Sequence, residues 1–161
     1  MDNEKTNKLR DIITFWKNDV SNKGLFPREL SKKINLDTHE VIDIVGVRRS
    51  GKSSILNMLA KNLNNTDLWL YVNFEDPYFN EDTPATIIED IINVYLEHFS
   101  AKLAYLFFDE IQNIKSWEKA IRKYRDGSKY KIFITGSSSK LLSGELASSL
   151  TGRHLSYNIF P

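Results

Sequence analysis

The sequence contains no cysteine, which excludes disulfide bridges, thiolate metal sites and cysteine nucleophiles. Its histidines are only three, His39, His98 and His154, too scattered to suggest a zinc site, so any metal is expected on oxygen ligands. Nowhere is there an uncharged apolar run long enough to span a bilayer, and the first residues carry no signal-peptide pattern. A cytoplasmic protein with no membrane partner is therefore expected. Internal repeats and low-complexity segments are also missing, apart from a serine cluster at Ser137 to Ser139.

What remains is the composition of a soluble globular protein, 41% apolar and 27% charged over 161 residues, a length that suits one domain. The formal net charge of +1 is unevenly spread. Residues 62–101 hold eight acidic side chains and no Lys or Arg, whereas residues 112–153 hold nine basic and three acidic ones. Such an asymmetry permits a surface for nucleic acid such as DNA or for an acidic protein partner.

Leu9, Ile12, Ile13 and Trp16 recur at helical spacing, and residues 1–40 read as an N-terminal helical lead-in to a domain over 41–161. Val41 to Val45 is a β-branched apolar run that ends in a glycine loop, followed by Ile55, Leu56, Leu59, Ala60 and Leu63 at helical spacing. Leu68 to Phe74 predicts a second strand. Thr83-Pro84 opens a helix with the face Ile87, Ile88, Ile91, Ile92, Leu96 and Phe99. Leu103 to Phe108, nearly all apolar, predicts a strand covered on both faces. A helix over Trp117 to Arg125, a strand over Tyr130 to Thr135, a helix over Ser139 to Leu150 and a strand over Leu155 to Phe160 complete the pattern. Five strands alternating with helices predict an α/β three-layer sandwich with a five-stranded parallel sheet. The abrupt end after the last strand suggests the N-terminal part of a longer protein.

Gly46-Val47-Arg48-Arg49-Ser50-Gly51-Lys52-Ser53 fits G-x-x-x-x-G-K-S, between an apolar strand and an amphipathic helix. In such a phosphate loop the glycines let successive backbone N–H groups face one concavity, to which the helix adds its positive N-terminal end. Lys52 reaches the terminal phosphates and Ser53 offers a hydroxyl to Mg²⁺. With Ser54 on the first helical turn, these nine residues are the expected nucleotide-binding set. Arg48 and Arg49 reach a phosphate or a partner, or are exposed loop cations.

Asp109 and Glu110 follow the third apolar strand, at the carboxyl edge of a parallel sheet where ligands collect. Asp109 is the candidate to hold Mg²⁺, directly or through water, and Glu110 to polarise the attacking water. An acidic residue directly after the metal-binding aspartate, with an extra strand between the two motifs, favours the ATPase branch of phosphate-loop proteins. No Asn-Lys-x-Asp guanine-reading sequence occurs, so ATP is expected rather than GTP. Thr135 and Ser137, ending the fourth strand at the same edge, are candidates to sense the γ-phosphate or to cap the helix near Ser139. Arg153 is a candidate arginine finger acting in trans on a neighbouring subunit. The cationic helix face of Lys119, Arg122 and Lys123 is a candidate for nucleic-acid contact or a solvated surface.

Taken with Asn73-Phe74-Glu75-Asp76, Phe108-Asp109-Glu110-Ile111-Gln112, Trp117, Thr135-Gly136-Ser137-Ser138-Ser139 and Leu150-Thr151-Gly152-Arg153, the loop makes residues 41–161 resemble the archaeal and bacterial AAA+ ATPases placed near the signal-transducing STAND NTPases. The resemblance implies a strand order of 5-1-4-3-2 and a lid and C-terminal domain beyond Pro161. It also implies phosphate and metal binding by Lys52 and Ser53, metal and water handling by Asp109 and Glu110, and Arg153 as finger in an oligomer. The expected function is an ATP- and Mg²⁺-binding ATPase coupling hydrolysis to conformational change in a larger protein. A non-hydrolysing nucleotide switch and a DNA-associated motor are the alternatives.

Overall fold

The computed structural model describes residues 1–24, 29–47, 49–137 and 154–159. Five strands, β1 (Val41–Gly46), β2 (Trp69–Asn73), β3 (Tyr105–Asp109), β4 (Lys131–Gly136) and β5 (His154–Ile159), form one sheet in the order β2-β3-β4-β1-β5. Every pairing is parallel. This is the expected order 5-1-4-3-2 read from the other edge, and β4 lies between the strand that feeds the phosphate loop and the strand that ends in Asp109.

Strands β1 to β4 are mostly apolar because both faces of the sheet are covered there, whereas the edge strand β5 is polar and largely exposed up to the buried Ile159. One face, with Ile42, Ile44, Trp69, Tyr71, Phe107 and Phe133, packs under α3 (Lys52–Asn62) through Ile55, Leu56, Leu59 and Ala60. The opposite face, with Leu70, Val72, Leu106, Phe108, Ile132 and Ile134, packs on α4 (Thr86–His98) and on Trp117 and Ile121 of α5 (Trp117–Asp126). Strands β1 to β4 each alternate between the two clusters, as period-2 geometry requires, while β5 reaches only the α3 side, through Tyr157 and Ile159. The expected helix over Ser139–Leu150 lies outside the described residues, as do Arg48, Arg153 and Phe160.

The helical lead-in is part of the core. Helix α1 (Asn3–Asn22) starts at Asp2, whose carboxylate accepts from the Lys5 N–H at 2.7 Å, a cap worth about 1 kcal/mol. Its Leu9, Ile12 and Ile13 join the α4 face, its Val20 joins the α3 face, and Trp16 packs against both. Each of these fully buried aliphatic side chains contributes roughly 1.5–3 kcal/mol over leaving it exposed. The helix thus lies along β2, an edge strand of the sheet, and covers a backbone that would otherwise be open to pairing. It also explains why Val94 and Tyr95 are buried beside the expected α4 face: α4 is contacted from two sides.

Lys17 fastens this arrangement. Its Nζ donates to the carbonyls of Thr66 and Trp69 (3.2 Å for Trp69) and to Tyr95 Oη at 3.0 Å, and sits 4.2 Å from the centre of the Trp69 ring. Burial lowers its pKa to about 8, against the raising effect of Asp67. A short helix, α2 (Glu29–Lys33), precedes β1.

At the opposite edge, Asp43 of β1 is fully buried and holds β5 through His154 Nδ1 at 2.9 Å and the Ser156 hydroxyl, which donates at 2.6 Å. The residue types are those of a serine hydrolase triad, but here hydroxyl and imidazole both address the carboxylate, so no relay runs from serine through histidine. The cluster pins a strand.

Candidate functional site

The phosphate loop leaves β1 at Gly46 and enters α3 at Lys52. Two glycines are demanded by geometry. A Cβ on Gly46 would lie 2.6 Å from Ser50 Oγ and 2.8 Å from the Ile159 carbonyl, so the loop can rest against β5 only without a side chain there. Gly51 has φ 99°, a conformation that costs an L-residue about 1 kcal/mol or more. Arg49 also has positive φ and is exposed, as are Val47 and Ser54, whereas Ser50 is buried. Gly51 takes the N-cap position of α3 without any side-chain cap. The first N–H groups of the helix therefore face the loop, ready for an anion.

Lys52 is only 5% exposed. Its ammonium donates to the carbonyls of Gly46 at 3.0 Å and Val47 at 3.3 Å and lies 3.5 Å from Glu110 Oε1. Lysine and glutamate come together although β4 separates their strands, because both sit at the carboxyl edge of the sheet. Glu110 turns there: with φ 52° and ψ 49° it is left-handed, strain of order 1 kcal/mol held by the surrounding bonds. Its N–H donates to Thr135 Oγ1 at 2.9 Å, and its Oε2 accepts from Gln112 Nε2 at 2.6 Å.

Asp109 is fully buried. Thr135 donates its hydroxyl to Oδ1 and Tyr71 its hydroxyl to Oδ2, and the Ser53 hydroxyl is near enough to favour the charged form of the same carboxylate. Burial raises the carboxyl pKa above its ordinary value; the Ser53, Thr135 and Tyr71 hydroxyls oppose that shift, and neighbouring Glu110 adds to it. Among the described residues no group of three or more His, Cys, Asp or Glu gathers. The donor set of one serine hydroxyl and one carboxylate fits Mg²⁺, which keeps several waters and takes the rest of its oxygens from phosphates.

Of the sequence-derived candidates, the structure brings Gly46, Ser50, Gly51, Lys52, Ser53, Asp109, Glu110 and Thr135 into one site. Ser137, half-buried, follows β4 at the same edge, and Arg48 and Arg153 lie outside the described residues. The hydroxyl of Thr135 serves the two acidic residues. On α5, Arg122 lies 3.8 Å from Asp126 and Lys123 lies 3.6 Å from Glu89, so two members of the cationic face have acidic neighbours. Two participants had no role assigned from the sequence: Tyr71, hidden inside an apolar strand, and Gln112, two residues after the glutamate and quoted there only within a matching stretch. A polar cleft of about 590 Å³, lined by Phe74, Glu75, Asn80, Glu81, Gln112 and Lys115 among others, adjoins the site through Gln112.

A parallel sheet that delivers a glycine-bounded loop, a lysine and a serine at one helix start, facing a carboxylate pair two strands away, defines a nucleotide-binding phosphate-loop domain of the ATPase type. Residues 38–161 match the family described as AAA domain, and the chain belongs to that family. An uncharacterised protein of Methanocaldococcus jannaschii is 40% identical over 138 residues, 80% of this chain and 28% of its own length. An uncharacterised protein of Haemophilus influenzae is 36% identical over 129 residues, 78% of this chain and 32% of its own length. The chain thus spans about a third or less of these curated relatives. Among solved structures, a DNA polymerase III gamma subunit-related protein of Thermotoga maritima is similar in fold, with a TM-score of 0.52 at 11% identity over 93% of this chain and 46% of that one.

Proposed function

We propose that the chain is the ATP-hydrolysing core of a larger cytoplasmic protein, with residues 41–161 as the ATPase domain and residues 1–40 as a lead-in packed on it. The observation that carries this reading is the meeting of Lys52, Ser53, Asp109 and Glu110 at one sheet edge. Phosphoryl transfer is mostly positioning and charge stabilisation, and each of the four has a task. Backbone N–H groups from Gly46 to Ser54 cradle the phosphates, and Lys52 exchanges the loop carbonyls for the terminal phosphate oxygens. Ser53 and Asp109 hold Mg²⁺, which when bound neutralises charge on those oxygens. Glu110 orients a water and takes its proton.

Thr135, bonded to both acidic residues, and Ser137 beside it are proposed to carry the state of the nucleotide into β4. Arg153 is proposed to complete the site of a neighbouring copy in a homo-oligomer. Conformational change in the remainder of the protein, or in a protein partner, is the proposed output.

Steady-state phosphate release by the full-length protein, compared with Lys52→Ala and Glu110→Gln, tests the reading; equal rates in all three would end it. One observation favours a second reading, a nucleotide-dependent switch that hydrolyses negligibly: both Glu110 oxygens are engaged, one near Lys52 and one by Gln112. Tight nucleotide binding with no phosphate release would decide for the switch. A DNA-associated motor has less support, because Arg122 and Lys123 face acidic side chains; it requires salt-dependent DNA binding that falls when Lys119, Arg122 and Lys123 are neutralised.

A further inference from the structure

Tyr71 is placed where packing alone would favour phenylalanine. It stands in the middle of β2, 2% exposed, paired in register with Phe107 and in the same apolar cluster as Phe107 and Phe133. A buried phenol must find an acceptor. Here the acceptor is Asp109 Oδ2. The register makes this possible: Asn73 pairs with Asp109, so Tyr71 and Asp109 point to the same face of the sheet two residues apart along the strands, a spacing of about 7 Å that a tyrosine side chain reaches along. Its ring is backed by Trp16 of α1, centroids 5.8 Å apart, and Trp16 is itself fixed by donating to Asp76 Oδ2 at 3.1 Å. The Tyr71 hydroxyl is the donor in its bond to Asp109.

Thr135 on Oδ1 and Tyr71 on Oδ2 approach the carboxylate from two different strands, β4 and β2, and so fix its plane. Mg²⁺ demands near-ideal octahedral geometry, and groups that orient its ligands set its affinity. We propose that Tyr71 is a positioning residue for the Mg²⁺ site, its hydroxyl holding the Asp109 carboxylate in the orientation that metal-bound nucleotide requires. The inference rests on the ATP and Mg²⁺ reading above.

The test is Tyr71→Phe in the full-length protein, which keeps the ring and removes one hydroxyl. Equilibrium binding of a fluorescent ATP analogue is measured in EDTA and across a Mg²⁺ titration, alongside the thermal unfolding midpoint. The expected result is an unchanged affinity in EDTA and a Mg²⁺ midpoint raised about tenfold, the usual size of a lost ligand-orienting bond. An unchanged Mg²⁺ midpoint in a wild type that shows a Mg²⁺-dependent gain overturns the role of Tyr71 and leaves the ATPase reading standing. Equal loss of affinity with and without Mg²⁺, together with a lowered unfolding midpoint, also overturns it, since the tyrosine would then serve stability alone. A wild type that binds no nucleotide, or binds it without any gain from Mg²⁺, sinks the underlying reading instead.

Discussion

Lys52 Nζ and Glu110 Oε1 lie 3.5 Å apart, their side chains 5% and 14% exposed. The cation proposed to bind phosphate and the carboxylate proposed to activate water thus pair with each other, and on that reading an incoming polyanion competes with Glu110 for Lys52. Glu110→Gln removes that competitor and preserves the shape. It should bind nucleotide as tightly as wild type or more tightly, while phosphate release falls by about 10²- to 10⁴-fold, the usual worth of a general base. Equilibrium binding and steady-state phosphate release read the two effects separately; turnover at the wild-type rate would remove Glu110 from the reaction.

Thr135 is the joint of the acidic pair, donating to the Asp109 carboxylate and accepting from the Glu110 N–H at 2.9 Å. Thr135→Val keeps the volume and strips both bonds in a fully buried place. A buried carboxylate without one of its donors and a left-handed residue without its anchor should together cost about 2–4 kcal/mol. Urea denaturation measures that loss, and phosphate release should fall with it. Thr135→Ser, which retains the hydroxyl, should recover most of both; if it does not, the methyl contact and not the hydroxyl matters.

Much of this was legible in the sequence, for identifiable reasons. Strands buried on both faces are nearly continuous apolar runs, so Val41–Val45, Leu68–Phe74 and Leu103–Phe108 stand out despite Asp43 and Asn73, and the motif after the first fixes the functional edge. Tyr71 was not legible, because its hydroxyl finds a partner only once β2 and β3 pair with Asn73 beside Asp109. Asp43 and His154 are 111 residues apart and meet only through the β1–β5 register. The polar look of residues 1–40 likewise hides how far Leu9, Ile13 and Val20 reach into the core, since a helix covering a sheet edge buries only a narrow stripe.

Gly46 predicts its own substitution. In Gly46→Ala the new methyl would meet the Ile159 backbone carbonyl at 2.8 Å and Ser50 Oγ at 2.6 Å, and a backbone carbonyl in a parallel pairing cannot swing aside. Either β5 separates from β1 or the loop lifts. Overpacking of this kind costs about 1–3 kcal/mol, and nucleotide affinity should fall because the N–H groups of the cradle lose their alignment. Calorimetry with ATP and thermal unfolding check both; an alanine variant that binds ATP normally would show that the loop has slack.

Lys17 gives the stability a pH dependence of definite sign. Burial holds its folded pKa at about 8, below the ordinary 10.5. Between those values the unfolded chain binds more protons than the folded one, so stability rises with pH. The penalty for burying the cation is present in full below about pH 8 and is relieved as pH climbs toward 10.5. Tyr95, against which Lys17 leans, works in the opposite direction only higher up: burial raises its pKa above 10.0, so above that pH the unfolded chain loses the tyrosine proton first and stability falls. The window from pH 8 to 9.5 therefore isolates the lysine. Urea midpoints of the wild type should increase across it, and Lys17→Met, which keeps the stem beside Trp69 and removes the titrating group, should flatten that increase even though it also loses the bonds to the Thr66 and Trp69 carbonyls. The comparison is of slopes, which that loss leaves untouched, and equal slopes in the two proteins would mean that Lys17 titrates as it does in the unfolded chain.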